Sequence, residues 1–225
     1  MPAQATSASF VPLSGPLGFY PVVPDASWVE RLLHWGVRTV QLRFKPASGD
    51  DAAVREQVRA AVAAGHAVPG AQVFINDHWR HAIALGAYGV HLGQEDWAAL
   101  SDAERDALRS SGMRLGLSTH TPAELALAKA ARPSYLAIGP VFPTTLKVMP
   151  YEPVGLERLQ DWARLAAPYP VAAIGGITLE CMADVRNCGV DGVAVVSALT
   201  QAVDPRFASQ QGLRVFEKGP TTGNP

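Results

Sequence analysis

Short apolar runs alternate with amphipathic segments along nearly the whole chain. The apolar runs read as strands over Gly18–Val23, Thr39–Arg43, Gln72–Ile75, Gly89–Leu92, Arg114–Leu117, Tyr135–Ile138, Val171–Ile174 and Gly192–Val196. Between them, helices are predicted over Ser27–Trp35, Asp51–Ala64, Trp79–Leu85, Asp102–Ser110, Pro122–Ala131, Leu156–Leu165, Leu179–Asn187 and Ala198–Ala202. Trp28, Leu32, Leu33 and Trp35 show the helical spacing in the first of these. Val171-Ala172-Ala173-Ile174 and Val193-Ala194-Val195-Val196 do not alternate with polar residues, which marks strands covered on both faces, as in a parallel sheet under helices. Eight such units in one domain predict an α/β fold, a (β/α)8 TIM barrel over 15–210, slightly short of the ~250 residues common for that architecture. A doubly wound open sheet is the alternative.

Composition narrows the picture. Of 225 residues, 48% are hydrophobic and 17% charged, the balance of a globular domain with ample core. A net charge of −1 provides no global field for nucleic acid or an anionic membrane, so any anion site must be local. Neither partner is expected. Cys181 and Cys188 form no framework for disulfides or zinc, which points to a reducing, cytoplasmic setting. Residues 1–14, rich in Ala, Ser, Thr and Pro and without Lys or Arg, read as a disordered lead-in and not as a secretory signal. Residues 211–225 read as a C-terminal tail, fraying from Lys218 to Pro225. No run approaches the roughly 18 apolar residues that span a bilayer.

In a barrel the chemistry gathers at the carboxyl ends of the strands. Asp77 follows the third strand and Asp96 the fourth, beside Asn76 and Gln94. Neighbouring parallel strands lie about 4.8 Å apart, so the two carboxylates would emerge side by side and could share one Mg²⁺ together with phosphate oxygens. Each acid alone is better explained as a helix N-cap, and it is the pair beside Asn76 and Gln94 that favours the metal. Gln41 and Arg43 lie at the end of strand two, with Lys45 just beyond, and Arg43 and Lys45, two apart, share a side. With Lys147 they form a cationic trio able to face a polyphosphate. Strand five leads into Ser118, Thr119 and His120, and strand six into a loop carrying Thr144, Thr145 and Lys147. Gly175-Gly176 after strand seven and Ser197 after strand eight occupy the customary phosphate position of the fold. His78 and His81, three apart beside Asp77, have no third soft ligand, and His91 is expected to pack in the barrel layers. The residues thus propose a metal-bridged diphosphate subsite opposite a monophosphate subsite. Displacement of pyrophosphate by electrostatic catalysis follows, with no protein nucleophile.

The motifs carrying these residues resemble those of the thiamine-phosphate synthases, in order, from about Gly15 to Pro205. They are Gln41-Leu42-Arg43-Phe44-Lys45, Phe74-Ile75-Asn76-Asp77, Gly89 through Asp96, Gly116 through His120, Gly139 through Thr144, Ala173 through Thr178 and Val195-Val196-Ser197. The resemblance implies a transferase of thiamine biosynthesis. It would join 4-amino-5-hydroxymethyl-2-methylpyrimidine diphosphate to 4-methyl-5-(2-phosphoethyl)thiazole, giving thiamine phosphate and pyrophosphate. In the family the pyrimidine C–O bond breaks first and the thiazole nitrogen captures the resulting cation. By motif, Asp77 and Asp96 bind one Mg²⁺ per site. Gln41, Arg43, Lys45, Asn76, Ser118 and Lys147 hold the pyrimidine diphosphate, with Arg43, Lys45, Ser118 and Lys147 as the catalytic set. Thr144, Thr145, Gly176, Val196 and Ser197 hold the thiazole phosphate. A thiazole tautomerase on a similar barrel would need no such metal pair. A ligand sensor without turnover would find its only support at Leu146.

That residue is the departure from the motif. The family loop usually reads Pro-Thr-x-Thr-Lys, whereas this chain has Pro143-Thr144-Thr145-Leu146-Lys147. Leu146 donates no hydroxyl hydrogen bond, a loss of about 0.5–1.5 kcal/mol. Leu146→Thr is expected to lower the Michaelis constant for thiazole phosphate by up to about tenfold, read from steady-state kinetics. An unchanged constant would show that this position does not touch the substrate.

Overall fold

The structure, a computed structural model, describes residues 9–46, 49–144 and 151–217. The chain begins with β1 (Gly18–Val23), α1 (Ala26–His34), β2 (Thr39–Leu42), α2 (Asp51–His66), β3 (Gln72–Asn76), α3 (Trp79–Ala84) and β4 (Gly89–Leu92). Two helices, α4 (Gln94–Ala99) and α5 (Asp102–Ser110), precede β5 (Arg114–Thr119), and α6 (Pro122–Ala130) precedes β6 (Tyr135–Ile138). Then come α7 (Gly155–Ala166), β7 (Val171–Ile174), α8 (Met182–Asn187), β8 (Gly192–Val195), α9 (Ser197–Thr200) and α10 (Pro205–Glu217). Each strand pairs in parallel with the next, and Gly18–Pro21 of β1 closes the ring against Gly192–Val195 of β8. The (β/α)8 barrel expected from the apolar runs is the fold, and the open sheet is excluded.

Local chemistry starts the helices where the strands end. Asp25, Asp50 and Thr121 each accept a hydrogen bond from a backbone N–H of the first turn, and Ser101 with Glu104 forms a capping box. Such a cap contributes about 1 kcal/mol.

The core has two layers. Val29, Leu32, Val40, Leu42, Val58 and their neighbours fill the space between barrel and helices. Inside the barrel, Leu17, Tyr20, Val22, Phe74, Tyr135, Ala137, Ala172 and Ala194 pack around three rings. Tyr20, Phe74 and Tyr135 sit with centroids 5.1–6.0 Å apart in tilted or edge-on contact. Glycines in facing strands make the room. A Cβ on Gly116 would lie 2.2 Å from Cζ of Tyr135, and one on Gly89 2.6 Å from Cε1 of Phe74.

A hydrogen-bonded chain crosses this interior. Nε2 of Gln41 donates to the Tyr20 hydroxyl at 2.9 Å, and that hydroxyl lies 2.7 Å from the Tyr135 hydroxyl. Nδ1 of His91 stands 2.7 Å from Tyr135, and its Nε2 stands 2.8 Å from Oγ of Ser118. Burial holds the His91 imidazole near a pKa of about 4, with the charge of Asp77 acting the other way. Burial likewise raises both phenols, so all three groups are neutral at pH 7.

Both ends of the barrel differ from the sequence expectation. Within the expected lead-in, residues 9–14 pack against the barrel. Phe10 is buried edge-on to Trp97 and donates its N–H to the Arg132 carbonyl. The carbonyls of Val11 and Pro12 accept from Ser134 and Arg114. Residues 1–8 lie outside the described residues. The expected tail begins inside α10, which runs through Glu217 and presses Gly212 so close to Phe19 that a Cβ would lie 2.4 Å from the ring. Lys218 to Pro225 lie outside the described residues.

Two outcomes follow. Gly116→Ala forces Tyr135 from its seat and is expected to destabilise the fold by about 1–3 kcal/mol in urea unfolding. The folded-state pKa of His91 lies below the ordinary 6.5. Its contribution to stability is therefore complete above pH 6.5 and is lost as pH falls toward 4. Between pH 7 and 5 the loss is expected to be about 2 kcal/mol, and His91→Gln should lack that part of the slope.

Candidate active site

The carboxyl rim of the barrel encloses a cavity of about 470 Å³, within the range of small-molecule sites. Among the described residues it is lined by Gln41, Arg43, Lys45, Asn76, Asp77, Asp96, Ser118, Thr144, Gly176, Val196 and Ser197. These eleven come from the ends of seven strands, β2 through β8. The described residues expected for the two subsites line one pocket. Thr145, Leu146 and Lys147 lie outside the described residues.

Gln41 is the third residue of β2, buried at the pocket floor, and Arg43 follows directly. The Arg43 N–H donates to the Val23 carbonyl at 2.8 Å, which prolongs the β1–β2 ladder and fixes the start of the loop. Two residues on, the Lys45 ammonium pairs with the Asp77 carboxylate. Both cations face the cavity, as their spacing predicts.

Asn76 is the last residue of β3 and is buried. Asp77 takes a left-handed conformation at φ +61°, which Asp and Asn tolerate better than most residues. The turn is tied down around it. The Asp77 N–H donates to the His91 carbonyl at 3.0 Å, and Nε2 of His78 lies 3.0 Å from the Phe44 carbonyl. Asp96 is the third residue of α4, which begins after Gly93. Its carboxylate folds back over Gly93, where a Cβ would come within 2.9 Å of Oδ2. Asp96 thus stands in a first helical turn, where acids are favoured, and lines the pocket from there. Neither acid is a helix N-cap, those positions being His78 and Gly93, and both line the cavity.

β5 extends to Thr119, so Ser118 lies within the strand, its carbonyl accepting from Nε2 of Gln94 at 2.8 Å. Across the pocket, Gly176 has φ +66°. A Cβ there would meet the carbonyl oxygens of Pro143 and Phe142 at 2.5 and 2.7 Å. Glycine is required first by the backbone, and its bare surface on the cavity follows from that. Ser197 opens α9, only four residues long, so exposed N–H groups and not an extended dipole are what this end presents.

The other histidines resolve differently. His81 pairs with Asp51 at 2.9 Å, and Nε2 of His78 is bonded to the Phe44 carbonyl. No group of three His, Cys, Asp or Glu able to hold a metal occurs among the described residues. His120 lines the cavity with Nδ1 2.8 Å from Glu124, and its ring stacks on Tyr151 at 4.7 Å. Tyr151 in turn donates to the other Glu124 oxygen at 2.9 Å. Glu124 and Tyr151 escaped the sequence reading, as did the bonding of His91 to Ser118. A pairing across strands leaves no trace in local spacing.

The profile of the family described as thiamine monophosphate synthase matches residues 20–199. A thiamine-phosphate synthase of Escherichia coli is 50% identical over 210 residues, covering 93% of this chain and 97% of that protein. The protein of the same name from Photorhabdus laumondii is 48% identical over 211 residues, covering 94% and 95%. The solved thiamine phosphate pyrophosphorylase from Pyrococcus furiosus superposes with a TM-score of 0.77 at 29% identity, covering 89% of this chain and 96% of that one. With its barrel, its rim and its sequence matching over nearly full length, the chain belongs to the thiamine monophosphate synthase family.

Proposed function

We propose that this chain condenses 4-amino-5-hydroxymethyl-2-methylpyrimidine diphosphate with 4-methyl-5-(2-phosphoethyl)thiazole, forming thiamine phosphate and releasing pyrophosphate. The observation that carries this reading is one cavity in which an acid pair, two cations and a Gly-Gly turn face one another. One wall suits a diphosphate and the other a monophosphate, so both substrates meet inside a shared space.

Charge supports a metal. Among the described lining residues, Arg43 and Lys45 balance Asp77 and Asp96. A diphosphate entering such a neutral site needs additional positive charge. The donors on offer are two carboxylates with the Asn76 amide nearby, a hard oxygen set that suits Mg²⁺. Both His91 nitrogens are engaged with Tyr135 and Ser118. Asp77 and Asp96 would hold the ion, leaving most of its coordination to phosphate oxygens and water. When bound, it supplies neutralisation of the diphosphate as a leaving group.

The chain's own residues do the rest. Arg43 and Lys45 bind diphosphate oxygens and stabilise the charge that develops on departure. Lys147 joins them on the strength of its motif alone. Gln41, Asn76 and Ser118 orient the pyrimidine, whose ring amine stabilises the cation left behind. Thr144, Gly176, Val196 and Ser197 receive the thiazole phosphate, with Thr145 added by motif, and so direct the thiazole nitrogen at that cation. Holding both partners in one pocket replaces a bimolecular encounter with an oriented capture.

The free thiols of Cys181 and Cys188 support a reducing, cytoplasmic compartment, and no described helix is long and apolar enough to cross a membrane.

The test is incubation of the purified protein with both phosphorylated heterocycles, in Mg²⁺ or EDTA, with detection of thiamine phosphate. Product is expected only with the metal. Asp77→Asn keeps a residue suited to the left-handed turn, and Asp96→Asn keeps the helix start. Each is expected to lower kcat by about a hundredfold or more with an unchanged thermal melt. Near-normal turnover in either variant, or in EDTA, would refute the metal assignment. Isomerised thiazole without thiamine phosphate would refute the reaction itself.

A further inference from the structure

The chain Gln41–Tyr20–Tyr135–His91–Ser118 joins opposite walls of the pocket through the barrel interior. Its two ends and His91 touch the cavity, and Tyr20 and Tyr135 lie wholly beneath it. Four contacts link five groups, and each contact consumes one proton. A neutral phenol carries a single proton, as does a neutral imidazole. Should any interior member accept from both sides, its own proton would be left without an acceptor in a dry core, which is costly. All four hydrogen bonds must therefore point the same way along the chain.

Only two such arrangements exist. In one, Gln41 Nε2 donates to Tyr20, Tyr20 to Tyr135, Tyr135 to Nδ1 of His91, and Nε2–H of His91 to Ser118. The pocket then meets a carbonyl acceptor at Gln41 and a hydroxyl donor at Ser118. In the other, every bond reverses. The amide turns over, and the pocket meets a donor at Gln41 and an acceptor at Ser118. The structure places Nε2 of Gln41 on Tyr20, which is the first arrangement.

We propose that Tyr20, Tyr135 and His91 are positioning residues that lock the hydrogen-bond polarity of Gln41 and Ser118 together, making the site specific for a heterocycle that donates at one wall and accepts at the other. This rests on the reaction proposed above. A 4-aminopyrimidine has that pattern, with an exocyclic N–H donor and ring-nitrogen acceptors. Its 4-oxo counterpart carries a carbonyl in place of the amine and a protonated ring nitrogen, the reverse pattern. Because the two walls are coupled, neither can adapt to the oxo compound alone. Rejection costs both contacts at once.

The first test reads the relay in the unmutated protein and uses a variant only for assignment. In protein labelled with ¹⁵N-histidine, long-range ¹H–¹⁵N correlation reads the tautomer of each ring, and His91→Gln identifies the His91 signals by their loss. A neutral Nε2–H tautomer is expected, and a Nδ1–H tautomer would overturn the proposal. The second test compares the aminopyrimidine diphosphate with its 4-oxo analogue in Tyr135→Phe and Tyr20→Phe, each of which deletes one hydroxyl and cuts the chain. The KM for the amino substrate is expected to rise about tenfold, the scale of one lost hydrogen bond, with the KM for thiazole phosphate unchanged. The kcat/KM preference for amino over oxo should fall by a similar factor. A preference kept at the wild-type value in both variants would overturn the coupling. If the unmodified protein makes no thiamine phosphate, the reaction assignment fails. If it does so with His91 as Nδ1–H, the assigned polarity and the specificity drawn from it fail while the reaction stands.

Discussion

Closure of the barrel by the β1–β8 ladder is the constraint from which the site descends. A parallel sheet sends every carboxyl end to the same side, and a closed one bends those ends into a ring. Residues as distant in sequence as Gln41 and Ser197 thereby face one cavity. No segment has to be long or unusual to reach it. The rim side chains owe their aim to strands whose own interactions lie elsewhere, in ladders and in the apolar layer under the helices.

The interior of the ring carries a second duty. A barrel this narrow must be filled, and Tyr20, Phe74 and Tyr135 fill it with help from Gly89 and Gly116. Two of those rings are phenols, so the filling is also a polar path. Packing fixes the rings, and the rings fix the hydroxyls. The stability of the barrel centre and the orientation of the pocket floor are for this reason one problem of geometry.

The fold was largely legible because the strands are apolar runs, and every predicted strand appears within two residues of its place. What escaped has physical causes. No residue of α4 is fully buried and only Trp97 packs on the core, so Gln94–Ala99 shows no apolar stripe. The fully covered residues of α10 are Ala208, Ser209 and Gly212, small ones that hydropathy does not mark. Phe10 is a single ring in a stretch of small and polar residues, yet it anchors residues that otherwise read as disordered. At the rim, residue types announced Asp77, Asp96, Arg43 and Lys45. The left-handed backbone of Asp77 and the partners of His91 depend on tertiary approach, which adjacent residues do not encode.

Gly175 and Gly176 stand against the main chain leaving β6. A side-chain carbon on the first would lie 2.6 Å from Cα of Pro140, and one on the second 2.5 Å from the Pro143 oxygen. The two loops are therefore a mechanical unit. Reshaping this corner to admit a bulkier azole cannot proceed by single exchanges at the glycines, since each would push backbone against backbone. Enlargement has to begin on the neighbouring strand, at Ala194 or just beyond it at Val196, both of which line the pocket.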